Sequence, residues 1–193
     1  MSPDAAATTT PGEDTELMRR VQMGDEAALG ALMQRWELSL KAFIGRIVLN
    51  TSEAEELAQE TFVRVWQQRG RYRADAPFRP WIFAIAVNLA RNRLRWWKLR
   101  PLIALEDWTE VPSDSGTAAE GETRRLDRAE RASAVRDAIA RLPTDLREAI
   151  VLFEYEQMSY AEVAEAVGAS SKAVENRIAR AREKLRVALK SWV

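Results

Sequence analysis

The side chains of this sequence that could do chemistry lie in two basic stretches, and what they suit is contact with nucleic acid. Between Phe78 and Arg100 there is no acid, while Arg79, Arg91, Arg93, Arg95, Lys98 and Arg100 interleave with Trp81, Trp96, Trp97, Asn88 and Asn92. Guanidinium groups neutralise phosphates and flat rings stack on unpaired bases, each stacked base contributing about 1–3 kcal/mol, so the pattern suits a single strand. The second stretch, Lys172 to Lys190, holds seven Lys or Arg against two Glu. Lys172, Glu175, Asn176, Ala179, Arg180 and Arg182 fall on one side of a helix there, a face able to enter a major groove. Enzymatic chemistry has little to work with. The 193 residues include no His and no Cys, which removes the usual general base, thiolate nucleophile and zinc ligands. No catalytic constellation, metal site or cofactor is expected.

The elements that must position these groups are helical throughout. Ser159 followed by Glu162 is a capping box, so a helix should begin at Tyr160, with Val163, Ala164 and Val167 on its apolar face. Gly168 ends it, and Ser170 or Ser171 can cap the next helix, which buries Val174, Ile178 and Leu185. Two caps three residues apart make a helix-turn-helix. A plain αα-corner with a solvated face has the same pattern, and only the charge excess argues for DNA.

In the N-terminal half, apolar residues from Leu17 to Ile47 recur at three- and four-residue steps, interrupted at Gly24-Asp25. Ser52 and Glu55 form a second capping-box pattern ahead of a helix running to about Arg69, whose first turns carry Glu53, Glu55, Glu56 and Glu60. These acids suit the positive end of a helix dipole and equally a docking face for a basic partner. A loop from Gly70 to Pro77 leads into the basic helix, where Pro80 marks the first turn. Ile82, Ile85, Leu89 and Trp96 follow its core-facing stripe; Asn88, Arg91, Asn92 and Arg95 lie off it.

Formal net charge is zero, but it averages over segregated blocks. Residues 1–14 are Ala, Thr, Pro and Gly with acids only, and read as a disordered tail. Ala104 to Thr123 holds six acids and no base, and residues 102–124 read as a linker, either a solvated tether or a competitor for nucleic acid. The expected architecture is all-α, with two small helical domains, 15–101 and 125–193, joined by a flexible acidic linker. No stretch approaches the roughly 20 apolar residues of a membrane span, and the N-terminus lacks a secretory pattern, so a cytoplasmic location is expected.

Two blocks of residues now point to a family. Glu56-Leu57-Ala58-Gln59-Glu60-Thr61-Phe62-Val63-Arg64-Val65-Trp66, followed by Tyr72-Arg73-Ala74-Asp75-Ala76-Pro77-Phe78-Arg79-Pro80-Trp81 through Asn92, closely resembles the second domain of bacterial extracytoplasmic-function sigma factors. Arg141-Leu142-Pro143, Arg147-Glu148 and the stretch Met158 to Arg182 resemble the fourth domain of the same family. The order of both blocks around a variable linker is far more specific than a helix-turn-helix alone.

The resemblance implies an initiation factor that binds core RNA polymerase and directs it to promoters without chemistry of its own. It implies that Glu56, Gln59 and Glu60 dock on the polymerase. Tyr72, Arg73, Asp75, Phe78, Trp81, Asn88, Arg91, Asn92 and Arg95 would open the minus-ten element and capture an extruded base. Lys172, Glu175, Asn176, Ala179 and Arg180 would read the minus-thirty-five element, with Arg177 and Arg182 on phosphates. An anti-sigma partner is also implied. Where relatives often carry a basic residue and Ser, this chain has Glu175-Asn176; Glu accepts from cytosine and Asn pairs with adenine, which points to a shifted preference. From the residues alone, a helix-turn-helix regulator that does not dock on polymerase and a helical adaptor remain alternatives.

Overall fold

A computed structural model describes residues 11–99 and 122–190. Among these residues there are eight α-helices, one 3-10 turn and no strand. The N-terminal half comprises α1 (Pro11–Gln22), α2 (Glu26–Val48), α3 (Thr51–Gln67), the 3-10 turn Arg69–Arg71 and α4 (Phe78–Leu99). The C-terminal half comprises α5 (Glu122–Ala140), α6 (Thr144–Glu154), α7 (Tyr160–Val167) and α8 (Ser171–Ala188).

The first half is built on α2, which packs on α1, α3 and α4. Leu32, Trp36, Leu40, Phe43 and Ile47 recur along α2 at helical steps and are buried. Gly24, at φ +90°, sits in the break between α1 and α2, and Asp25 caps α2 by accepting from the Ala28 amide. The cap of α3 is Asn50, which accepts from the Glu53 amide, rather than the Ser52 that the sequence pattern favours. An Asn two residues earlier satisfies an orphan donor equally well, and Ser52 is exposed. Two domain edges also shift. Helix α1 begins at Pro11, inside the expected tail, and Asp14 is buried in an ion pair with Arg35 at 2.6 Å. Helix α5 begins at Glu122, inside the expected linker. Residues 1–10 and 102–121, the remainder of both assignments, lie outside the described residues, as do residues 100 and 101 of the expected first domain.

The helix-turn-helix forms as its caps dictate. Ser159 and Glu162 make the reciprocal capping box, Gly168 closes α7 at φ +67°, and Ser170 caps α8 by accepting from the Ala173 amide. Helices α6, α7 and α8 pack together over Leu146, Ile150, Val163, Val167, Val174 and Ile178. The two halves also pack on each other, α7 against α4 and α6 against α2, so one apolar core runs through both.

Candidate nucleic-acid and polymerase interfaces

Helix α4 carries its expected contact residues on one stripe. Asn88, Asn92 and Arg95, at offsets of four and seven, are exposed, and Arg95 donates to the Asn92 side chain. The core stripe holds for Ile82 and Ile85, but Trp96 is exposed and Trp97 packs instead. Trp96 is therefore a surface ring, contrary to the reading of the sequence.

The loop ahead of α4 is organised by aromatic packing. The Tyr72 ring meets Phe78 at 5.9 Å and Trp81 at 5.3 Å, and its hydroxyl donates to the Ala76 carbonyl at 2.7 Å. Gln22 of α1 donates to the carbonyls of Arg69 and Tyr72, both at 2.9 Å, pinning the loop from below. Tyr72 and Phe78 are consequently buried, and they shape this loop from inside. Arg73 and Asp75 are exposed and paired with each other at 2.7 Å, while Trp81 is half-buried. Burial of the phenol raises the Tyr72 pKa, the Thr15 hydroxyl partly opposing it.

Glu56, Gln59 and Glu60, the residues expected on the polymerase, line a groove of about 540 Å³ between α3 and α4. Glu56 and Gln59 are exposed and Glu60 is half-buried beside Arg64 at 2.7 Å. Asn92 and Trp96 form the opposite wall, so two sites that the sequence separates share one concavity. Arg93, which the sequence offers only as one of the basic residues of α4, bridges them by pairing with Glu53 and, at 3.0 Å, with Glu56. Its only signal is the four-residue step from Leu89, which turns it toward α3.

On α8, Lys172, Glu175, Asn176, Ala179 and Arg180 are all exposed along one face. Lys172 and Glu175 form an ion pair of 2.8 Å on that face. The two arginines expected on phosphates turn instead toward α6. Arg177 is 3.8 Å from Asp145, and Arg182 grips Glu154 at 2.7 Å while lying over the Phe153 ring. The Glu154 partnership raises the Arg182 pKa.

Arg91 does not lie free on the α4 stripe. It donates bidentately to Glu148 of α6 at 2.9 and 2.6 Å, and to the Val167 carbonyl at the end of α7 at 3.2 Å. Glu148 is fully buried, and this pairing raises the Arg91 pKa despite its burial. Arg147 beside it donates to Ile47 in the last turn of α2 at 2.9 Å and to Leu142 at 3.0 Å; burial lowers its pKa. Both guanidiniums thus sit at the carbonyl end of a helix from the other half, where the dipole favours a cation. Ser39 of α2 donates to the buried Glu156, and Arg46 lies 4.2 Å over the Tyr155 ring. The sequence carries one trace of this network, an acid and a base inside the apolar run of α6.

Comparison with known proteins agrees with the fold. Residues 32–97 match the family described as Sigma-70 region 2, and residues 132–185 match Sigma-70, region 4. The RNA polymerase sigma-H factor of Pseudomonas aeruginosa is 34% identical over 184 residues, 93% of this chain and 95% of that protein. The ECF RNA polymerase sigma-E factor of Haemophilus influenzae is 32% identical, over 88% of this chain and 92% of its own length. Among solved structures, CnrH in complex with the cytosolic domain of CnrY superposes with a TM-score of 0.69 at 29% identity, covering 93% of this chain and 98% of that one. The sigma factor RpoE of Bartonella quintana, in complex with the anti-sigma factor NepR, shares the fold at a TM-score of 0.66 and 23% identity, covering 83% of this chain and 96% of that chain. The chain belongs to the sigma-70 family, among the extracytoplasmic-function RNA polymerase sigma factors. It is a factor for promoter-specific transcription initiation. No helix among the described residues is long and apolar enough to cross a membrane.

Proposed function

We propose that the chain docks on core RNA polymerase through the α3 face of Glu56, Gln59 and Glu60. It then works on the minus-ten element through Asn88, Asn92 and Arg95 of α4 and reads the minus-thirty-five element through Lys172, Glu175, Asn176 and Arg180 of α8. The observation that carries this reading is the presence of two exposed polar stripes, one in each sigma region, each on a helix whose opposite face is fixed by the core. Bond-making belongs to the polymerase, and the chain acts in the cytoplasm, where polymerase and promoters meet. Because CnrH was solved with the cytosolic domain of CnrY and the Bartonella protein with the anti-sigma factor NepR, we place an anti-sigma protein among its partners. Transcription in vitro with core polymerase and a randomised promoter library tests the reading. It should return transcripts enriched for two elements at fixed spacing, and a yield no greater than that of core polymerase alone would reject it.

A further inference from the structure

Helix α1 lies ahead of the stretch that matches Sigma-70 region 2, residues 32–97, and none of its side chains is given a role by the promoter reading. Its placement is nevertheless fixed: Met18 and Val21 are fully buried, and Arg35 of α2 holds Asp14 at 2.6 Å. From that position it grips Tyr72 at both ends. Gln22, the last residue of α1, uses both protons of its amide nitrogen, one on the Arg69 carbonyl and one on the Tyr72 carbonyl, each at 2.9 Å. At the far end of the tyrosine side chain, the hydroxyl gives its proton to the Ala76 carbonyl at 2.7 Å, so the Thr15 hydroxyl, 3.3 Å away, is the donor between those two. Tyr72 in turn closes the loop it begins, where Ala76 also donates its amide to the Arg73 carbonyl at 2.9 Å. The side chains of Arg73 and Asp75 are left exposed on the outside of that loop.

We propose that α1 is a positioning element for minus-ten recognition: by fixing where Tyr72 sits, Gln22 and Thr15 set the shape of the loop of residues 72–77 and, through it, the selectivity for one extruded base, without touching DNA themselves. This rests on the promoter reading above, extended to the loop that the family resemblance assigns to base capture. Residues 72–77 hold no helix or strand, so their backbone is ordered by a few turn bonds and by what α1 supplies. Reading a base requires the reading groups to be held within a fraction of an ångström, and a loop meets that demand only when its support is rigid. Gln22 suits the task because one neutral side chain serves two carbonyls at once; a Glu of the same shape offers acceptors alone, and a Met fills the space with no donor. The Arg69 carbonyl also accepts from the Tyr72 amide at 3.3 Å, so the 3-10 turn keeps its own bond when Gln22 is replaced. The loss then falls on the shape of the loop rather than on the fold.

The test uses the full chain with core polymerase and a promoter recovered from the randomised library, randomised again one position at a time across its minus-ten element. Gln22→Met should lower discrimination at one position by about tenfold, the size of one base contact, while affinity for core polymerase and preference at the minus-thirty-five element stay as in the parent. Gln22→Glu, which sets a carboxylate against two carbonyl oxygens, should flatten the same position further. Thr15→Val removes the other donor from α1 to Tyr72 and should flatten that position too; it decides the matter if the Gln22 variants lose helicity. A minus-ten profile unchanged in Gln22→Met and Thr15→Val overturns the role of α1 and leaves the promoter reading standing, as does a loss by the same ratio at every position, which a smaller fraction of folded protein would give. A parent chain that selects no minus-ten element overturns the promoter reading itself, and the positioning role with it.

Discussion

Glu175 illustrates how much one side chain's role depends on its neighbour. A carboxylate on a groove-facing helix repels phosphates, yet here it holds Lys172 at 2.8 Å, so its charge is locally balanced when DNA is absent. In the proposed base-reading role, the lysine turns to a phosphate on DNA while the carboxylate accepts from a cytosine amine. Glu175→Ala should therefore fold normally and relax preference at one minus-thirty-five position, by about 1–3 kcal/mol. A selection on randomised elements that returns the parent's preferred sequence would reject base reading. Glu156 makes a second prediction at this scale. Burial raises its pKa above the ordinary 4.5, against the Ser39 hydrogen bond and the charges of Arg79 and Arg46. A carboxyl that holds its proton more tightly when packed stabilises packing most below 4.5, and that contribution fades as pH rises through its own raised value. Glu156→Gln keeps the hydrogen-bonding shape without the charge, so its melting temperature should gain on the parent's as pH rises across that window. Parallel melting curves at every pH would show that Glu156 does not titrate against packing.

At the scale of elements, the groove between α3 and α4 brings the residues proposed for docking beside those proposed for strand opening. Replacing Glu56, Gln59 and Glu60 together with Ala should weaken core-polymerase binding without unfolding the chain, because none of the three is buried. Asn88 and Asn92 should then behave differently. Asn92 lines the groove and Asn88 does not, so Asn92→Ala should weaken both polymerase binding and promoter opening, while Asn88→Ala should affect opening alone. Pull-downs and permanganate footprinting separate the two, and identical profiles for both variants would dissolve the distinction. The recognition unit was the most legible part of the sequence, since Ser159, Glu162, Gly168 and Ser170 act through backbone groups within four residues of themselves. Trp96 was misread because Trp96 and Trp97 are adjacent and a helical stripe cannot decide which ring turns inward; Trp97 packs on the core and Trp96 faces the groove. Tyr72 and Phe78 look like exposed loop aromatics in a sequence, and only the approach of Gln22 and Trp81 shows that they are the loop's core.

For the whole molecule, contact between the halves was the least legible feature. Charge pairing across Arg91 and Glu148 joins residues far apart in the chain and leaves no periodic trace. Arg91 also has a local reading that suffices without it, a phosphate contact. Breaking such a pair by removing one partner commonly costs about 3–5 kcal/mol when both charges are deeply buried, and less here because Arg91 keeps 32% of its side-chain surface.

The short corner between α7 and α8 bears on any DNA contact that α8 makes. Capped at Gly168 on one side and Ser170 on the other, it sets the direction in which α8 leaves α7. Gly168 is held at φ +67°, which L side chains rarely adopt, so Gly168→Val should disturb the angle of α8 while leaving its exposed side chains intact. Binding to all minus-thirty-five sequences should then weaken by a similar ratio, which competitive transcription from two promoters would measure.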